Sequence, residues 1–100
     1  MVDIYRLEQY GLTLEGTLVD DDNDDSVLDL SSNTGLKMEL KKPNGIVSEF
    51  TCSRDDDTIQ WSDGGNSVLD QTGWYEYTFT AEFADRLVKS FQKRGFWVIE

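Results

Sequence analysis

The sequence predicts an all-β protein, an antiparallel β-sandwich of about seven strands built as one domain. Three observations lead there. Apolar and polar residues alternate with period two in stretch after stretch, as on strands with one buried face. Clusters of Gly, Asn, Asp and Ser interrupt those stretches about every ten residues, the spacing of short strands joined by turns. Helical spacing of apolar residues is nearly absent, and at most Ser67 to Gln71 closes a single helical turn.

Taken in order, Met1 to Gly11 precedes the first clear strand and reads as a short N-terminal arm. In the next segment Leu12, Leu14 and Leu18 face one way, while Thr13, Glu15 and Thr17 face the other. Leu36, Met38 and Leu40 then alternate with Lys37, Glu39 and Lys41. Pro43-Asn44-Gly45 supplies a fixed φ followed by two residues that tolerate positive φ, and so joins two strands as a tight hairpin. Ile46 to Cys52 alternates again, with Cys52 in phase with Phe50. After the acidic turn Asp55-Asp56-Asp57 comes a short strand carrying Ile59 and Trp61, and Asp63 to Ser67 forms a looser connection. Tyr75, Tyr77, Phe79, Ala81 and Phe83 make the longest apolar face, opposed by Glu76, Thr78, Thr80 and Glu82. Ala84-Asp85 is a second short connection, and a pair of strands around Leu87 to Phe91 and Phe96 to Ile99 closes the set. The inward set should include Leu14, Leu18, Leu36, Met38, Leu40, Phe50, Ile59, Trp61, Tyr75, Tyr77, Phe79 and Val98.

The chain has 100 residues, of which 38% are hydrophobic and 12% aromatic, enough for one modest core spanning 1–100. No apolar run approaches a membrane span, and the charged start Met1-Val2-Asp3-Ile4-Tyr5-Arg6 lacks the apolar core of a signal peptide. The protein is therefore expected to stay where it is made or to leave by lysis. A net charge of −11 sets it against nucleic acid and anionic membranes, and suits docking onto a basic partner.

No histidine is present, which removes the commonest general base and the commonest zinc ligand together. Cys52 is the one cysteine, so no internal disulfide forms, and without a histidine to activate it the thiol reads as a small buried hydrophobe. There is no glycine-rich phosphate loop, serine elbow or cysteine–histidine pair. The paired carboxylates lie in acidic turns, where nothing sets their pKa values apart. The chain is expected not to be an enzyme and to need no cofactor.

Two stretches invite a binding role. Asp20-Asp21-Asp22-Asn23-Asp24-Asp25 offers hard oxygen ligands, with Asp20, Asp22 and Asp24 as a calcium candidate. A helix–loop–helix calcium pattern starting at Asp20 puts Asp25 where glycine belongs and Ser31 where the bidentate glutamate belongs, so a solvated acidic loop is expected. Trp61, Trp74 and Trp97 are candidates for a sugar platform, although aromatics at strand spacing more often fill cores and interfaces.

The order of these pieces resembles the immunoglobulin-like N-terminal domain of the baseplate upper protein of tailed bacteriophages. The residues that carry the likeness are Asp29-Leu30-Ser31-Ser32, Pro43-Asn44-Gly45, Gly73-Trp74-Tyr75 and Gly95-Phe96-Trp97-Val98-Ile99. Phe83-Ala84-Asp85-Arg86 resembles the family's Phe-Ala-Asp-Gly-Arg hairpin without its glycine. The likeness implies an immunoglobulin-like sandwich and a structural or adaptor role in a phage particle, whether in baseplate, tail fibre, neck or capsid decoration. It further implies assembly in the host cytoplasm, residence in the virion, and other phage structural proteins and copies of itself as partners. Nucleic acid and membrane are not expected among them. In the arm, Val2, Ile4, Tyr5, Leu7 and Tyr10 crowd apolar and aromatic groups that a small core is not expected to absorb, and they are the expected partner interface. Deleting Met1 to Tyr10 should then leave the sandwich folded and abolish assembly. Two other readings remain beside this one. A carbohydrate-binding sandwich would show at least two tryptophans on one face. A small acidic mimic of nucleic acid would spread carboxylates at phosphate-like spacing, whereas here they cluster in turns.

Overall fold

The structure, a computed structural model, describes residues 3–20, 26–65, 67–89 and 94–100. These residues form eleven strands and no helix: β1 (Asp3–Arg6), β2 (Thr13–Gly16), β3 (Val19–Asp20), β4 (Ser26–Val27), β5 (Gly35–Lys41), β6 (Val47–Thr51), β7 (Ser53–Asp55), β8 (Thr58–Ser62), β9 (Gly73–Glu82), β10 (Leu87–Lys89) and β11 (Arg94–Ile99). The protein is an all-β sandwich. Its larger sheet runs β1-β11-β9-β5-β6 with β10 also on β9; the smaller runs β2-β8-β7, and β3-β4 forms a two-stranded flap. Strand neighbours are antiparallel except for β1, which lies parallel to β11 with Ile4 opposite Trp97.

Beyond the seven strands expected from sequence stand the β3-β4 flap, β7 and β1, and the last two have plain physical reasons. One extended segment changes sheets: β6 pairs with β5, the chain bends at Cys52, and β7 pairs with β8. Such a bend lets a single strand close the side of a sandwich. The other reason is the arm, which is not free but forms β1 at the sheet edge. With β2-β8-β7 standing for strands B-E-D and β11-β9-β5-β6 for G-F-C-C′, the neighbour order is that of an immunoglobulin-like sandwich.

Alternation dictates the core. Leu14, Ile59 and Trp61 from the small sheet meet Leu36, Met38, Leu40, Tyr75, Phe79, Phe96 and Val98 from the large one, all buried. Phe50 bridges the sheets, its ring 5.1 Å from that of Trp61. Phe50, on the edge strand β6, and Tyr77 are only partly buried but pack against this core. Five buried leucines, Leu12, Leu18, Leu28, Leu30 and Leu69, come from outside the regular strands and complete the core.

The turns follow their chemistry. In Pro43-Asn44-Gly45 the Gly45 N–H donates to the Lys42 carbonyl at 2.9 Å, and Gly45 takes a φ of 89°. Asp29 accepts the Ser31 N–H at 2.9 Å, which aims the wholly buried Leu30 side chain inward; that bond holds the Asp29 carboxyl below its ordinary pKa. The β9–β10 connection closes with the Phe83 N–H on the Arg86 carbonyl at 2.8 Å. No helical turn forms at 67–71; instead that stretch is pinned by the Tyr75 hydroxyl, which donates to the Gln71 carbonyl and accepts the Gln71 N–H, both at 3.1 Å. A tyrosine near the start of strand F bonded back to the preceding corner is a hallmark of immunoglobulin-like sandwiches. Tyr75→Phe is expected to lower stability by about 1–3 kcal/mol in urea titration without changing the far-ultraviolet spectrum, because two backbone groups lose their partner.

Candidate functional site

Period two also decides what faces outward on the large sheet. Because Phe96 and Val98 point in, Trp97 and Ile99 point out, and because Tyr75 points in, Trp74 points out. Trp74 and Trp97 are directly opposite across the β9–β11 ladder, their rings 5.1 Å apart and inclined at 60°. Ile4 stands opposite Trp97 on the other side. Ile4 on β1 and Trp97 and Ile99 on β11 are 62%, 47% and 46% exposed, and with Trp74 on β9 they make an apolar surface on three neighbouring strands. Patches of this kind on a soluble protein mark contact sites.

The ring of Trp74 lies across the backbone of Gly95. A Cβ built on Gly95 would fall 2.2 Å from that ring and 2.6 Å from the Tyr75 carbonyl oxygen. The absence of a side chain at Gly95 therefore makes the bed on which Trp74 rests beside Trp97. The Trp74 indole N–H donates to the Glu76 carboxylate at 3.3 Å, holding that same edge of the ring. From Trp74 a shallow groove runs toward the β5–β6 hairpin, bordered by Lys41, Lys42, Pro43 and Glu76. Lys42 is tied to Asp70 at 3.0 Å.

The structure splits the expected interface set. Ile4 faces out. Tyr5 faces in, edge-on to Phe96 at 5.1 Å, and burial raises its phenol pKa. Leu7 packs against the core, and its N–H donates to the Ile99 carbonyl at 2.7 Å. Tyr10, 71% exposed, sits in the connection before β2. Val2 lies outside the described residues. Deleting the first ten residues would thus uncover Phe96, so a loss of assembly in that variant would not separate contact from folding. The residues that complete the surface, Trp74, Trp97 and Ile99, were legible as the out-of-phase members of two strongly alternating strands.

Of the three tryptophans, Trp61 is core and is removed from any sugar platform. The calcium candidate is only partly in view, since Asp22 and Asp24 lie outside the described residues. Asp20 ends β3, with the Arg86 guanidinium 3.9 Å away. Beside it a cleft is lined by Asp29, Asp85 and Phe83, over whose ring Arg86 lies at 5.5 Å. Among the described residues no three carboxylate or thiol groups stand close enough together to hold a metal ion. Adding a chelator is expected to leave the melting temperature unchanged; a fall of several degrees would reveal a calcium ion bound to the folded state. Cys52, half-buried at the strand bend, has its thiol pushed up to about 11 by burial, which keeps it a thiol at neutral pH.

No protein-family model matches this chain, and no curated protein matches it.

Proposed function

We propose that this domain is a non-enzymatic structural or adaptor part of a tailed-phage particle, in the baseplate, tail fibre, neck or capsid decoration, acting through protein–protein contacts. The observation that carries the reading is the outward Ile4–Trp97–Trp74–Ile99 surface on a rigid sheet. Large aromatic and aliphatic groups presented this way are what interfaces are anchored on. The phage setting rests on the resemblance of the ordered motifs to the N-terminal domain of baseplate upper proteins. The immunoglobulin-like strand order and the tyrosine corner at Tyr75 agree with that resemblance. The domain works in the virion, reached by assembly in the host cytoplasm. Quantitative mass spectrometry of purified particles tests this: three, six or twelve copies place it in neck, baseplate or fibre, and hundreds place it on capsid or tail tube. Its absence from particles would refute the reading.

One observation favours a second reading, a carbohydrate-binding module: Trp74 and Trp97 share a face. Against it, the rings are inclined at 60° and Trp74 lies on Gly95, so they do not make one flat stacking platform. Fluorescence quenching by a glycan panel separates the two readings.

A further inference from the structure

We propose that the Trp74–Trp97 face docks an arginine-bearing basic segment of a partner protein, with guanidinium groups stacking on the exposed indoles and pairing with the neighbouring carboxylates. The inference rests on reading the domain as a protein-contact module and names the chemistry of what it contacts.

Three observations converge on that occupant. The first is charge. At −11, the chain repels a second copy of itself and attracts a cationic partner, so a self-contact on this face starts at a disadvantage that a basic segment does not have. The second is the local distribution on the same face. Along β1, β5, β6 and β9 the outward positions carry Glu39, Glu49, Glu76 and Glu82 against Arg6, Lys37 and Lys41. Lys42 at the groove is neutralised by Asp70, so the face keeps a slight acidic excess. Lys37 is held between Glu82 at 2.9 Å and Glu49 at 3.4 Å, and Lys41 stands opposite Glu76 in the ladder. The third is the ring pair. Trp97 is about half-exposed, and Glu76, which holds the Trp74 indole N–H, puts a carboxylate next to an aromatic surface. Indole faces beside a carboxylate suit a planar guanidinium, which stacks and donates a bidentate pair of hydrogen bonds, better than a compact ammonium.

The test uses the full chain with two synthetic probes of equal charge, an octa-arginine and an octa-lysine peptide, read by tryptophan fluorescence and calorimetry at about 0.15 M salt. Octa-arginine should bind more tightly than octa-lysine and quench the emission. Trp97→Ala and Trp97→Leu leave the net charge unchanged, and Leu keeps apolar area without a ring. Each should weaken arginine-peptide binding about fivefold and erase the preference over lysine. Far-ultraviolet spectra establish that the variants are folded. Equal binding by Trp97→Ala and the parent would mean that the acidic charge alone attracts the peptide, and would overturn the proposal. So would a failure of octa-arginine to bind, a dimer in sedimentation that Trp97→Ala dissolves, or quenching by glycans but not by the peptide. Copy number in particles is independent of these outcomes, so failure here leaves the structural reading to its own test.

Discussion

Asp63→Ala is expected to be the most destabilising exchange of a polar residue in this domain. The Asp63 carboxylate is nearly buried and accepts three backbone N–H groups, from Gly65 at 2.9 Å, Leu12 at 3.0 Å and Gly11 at 3.2 Å. It thereby ties the end of β8 to the start of β2 and turns the chain at Gly64–Gly65. In return the Asp63 N–H donates to the Leu12 carbonyl. Alanine leaves three donors without an acceptor, two of them at the mouth of the core beside Leu12. The expected loss is about 2–4 kcal/mol, given that a bond to a charged group contributes roughly 1.5–3 and an orphaned buried donor costs a similar amount. In a domain of this size the melting temperature should fall by about 10–20 °C. Asp63→Asn, which keeps one acceptor oxygen, should lose clearly less; equal losses for the two would show that the carboxylate's second oxygen and charge are not what holds the turn.

Gly95→Val is the second large effect, and it reaches the candidate site. Its first side-chain carbon would overlap the Trp74 ring and crowd the Tyr75 carbonyl oxygen, and the latter is backbone and cannot swing away. Overpacking of this kind costs about 1–3 kcal/mol. The Trp74–Trp97 pair must also part, so the near-ultraviolet circular dichroism that the coupled indoles produce should collapse. Adding Trp74→Ala to Gly95→Val should restore part of the stability by removing the indole half of the clash. If Gly95→Val alone retains both stability and the indole signal, the bed assigned to Gly95 is wrong.

Much of this was legible because alternation is a direct readout of which face is wet. Leu36, Met38 and Leu40 against Lys37, Glu39 and Lys41 could settle only one way, and they did. The same rule placed Tyr75, Phe79 and Val98 inside. What alternation does not encode is which neighbour a strand takes. Nothing in Asp3-Ile4-Tyr5-Arg6 announces a parallel pairing with β11, since that depends on a ladder more than ninety residues away in sequence. The arm therefore read as free, and Tyr5 and Leu7 as interface, although the open flank of Phe96 could be covered only by something from outside the hairpins. The sheet switch at Cys52 was hidden for a related reason. Val47 to Asp55 is one extended run in sequence, and only the bend divides its partners. Leu28, Leu30 and Leu69 lie in irregular segments, where no period exists to reveal them.

The central claim is that this protein works by presenting the Ile4–Trp97–Trp74 surface to a protein partner within a particle. Hydroxyl-radical footprinting of Trp97, in the free protein and in purified particles, tests it most directly. The account predicts that Trp97, half-exposed in the free domain, is strongly oxidised there and protected in particles, while Tyr10 on its separate exposed loop changes less. Equal labelling of Trp97 in both states, or particles that yield no peptide of this chain, would contradict it.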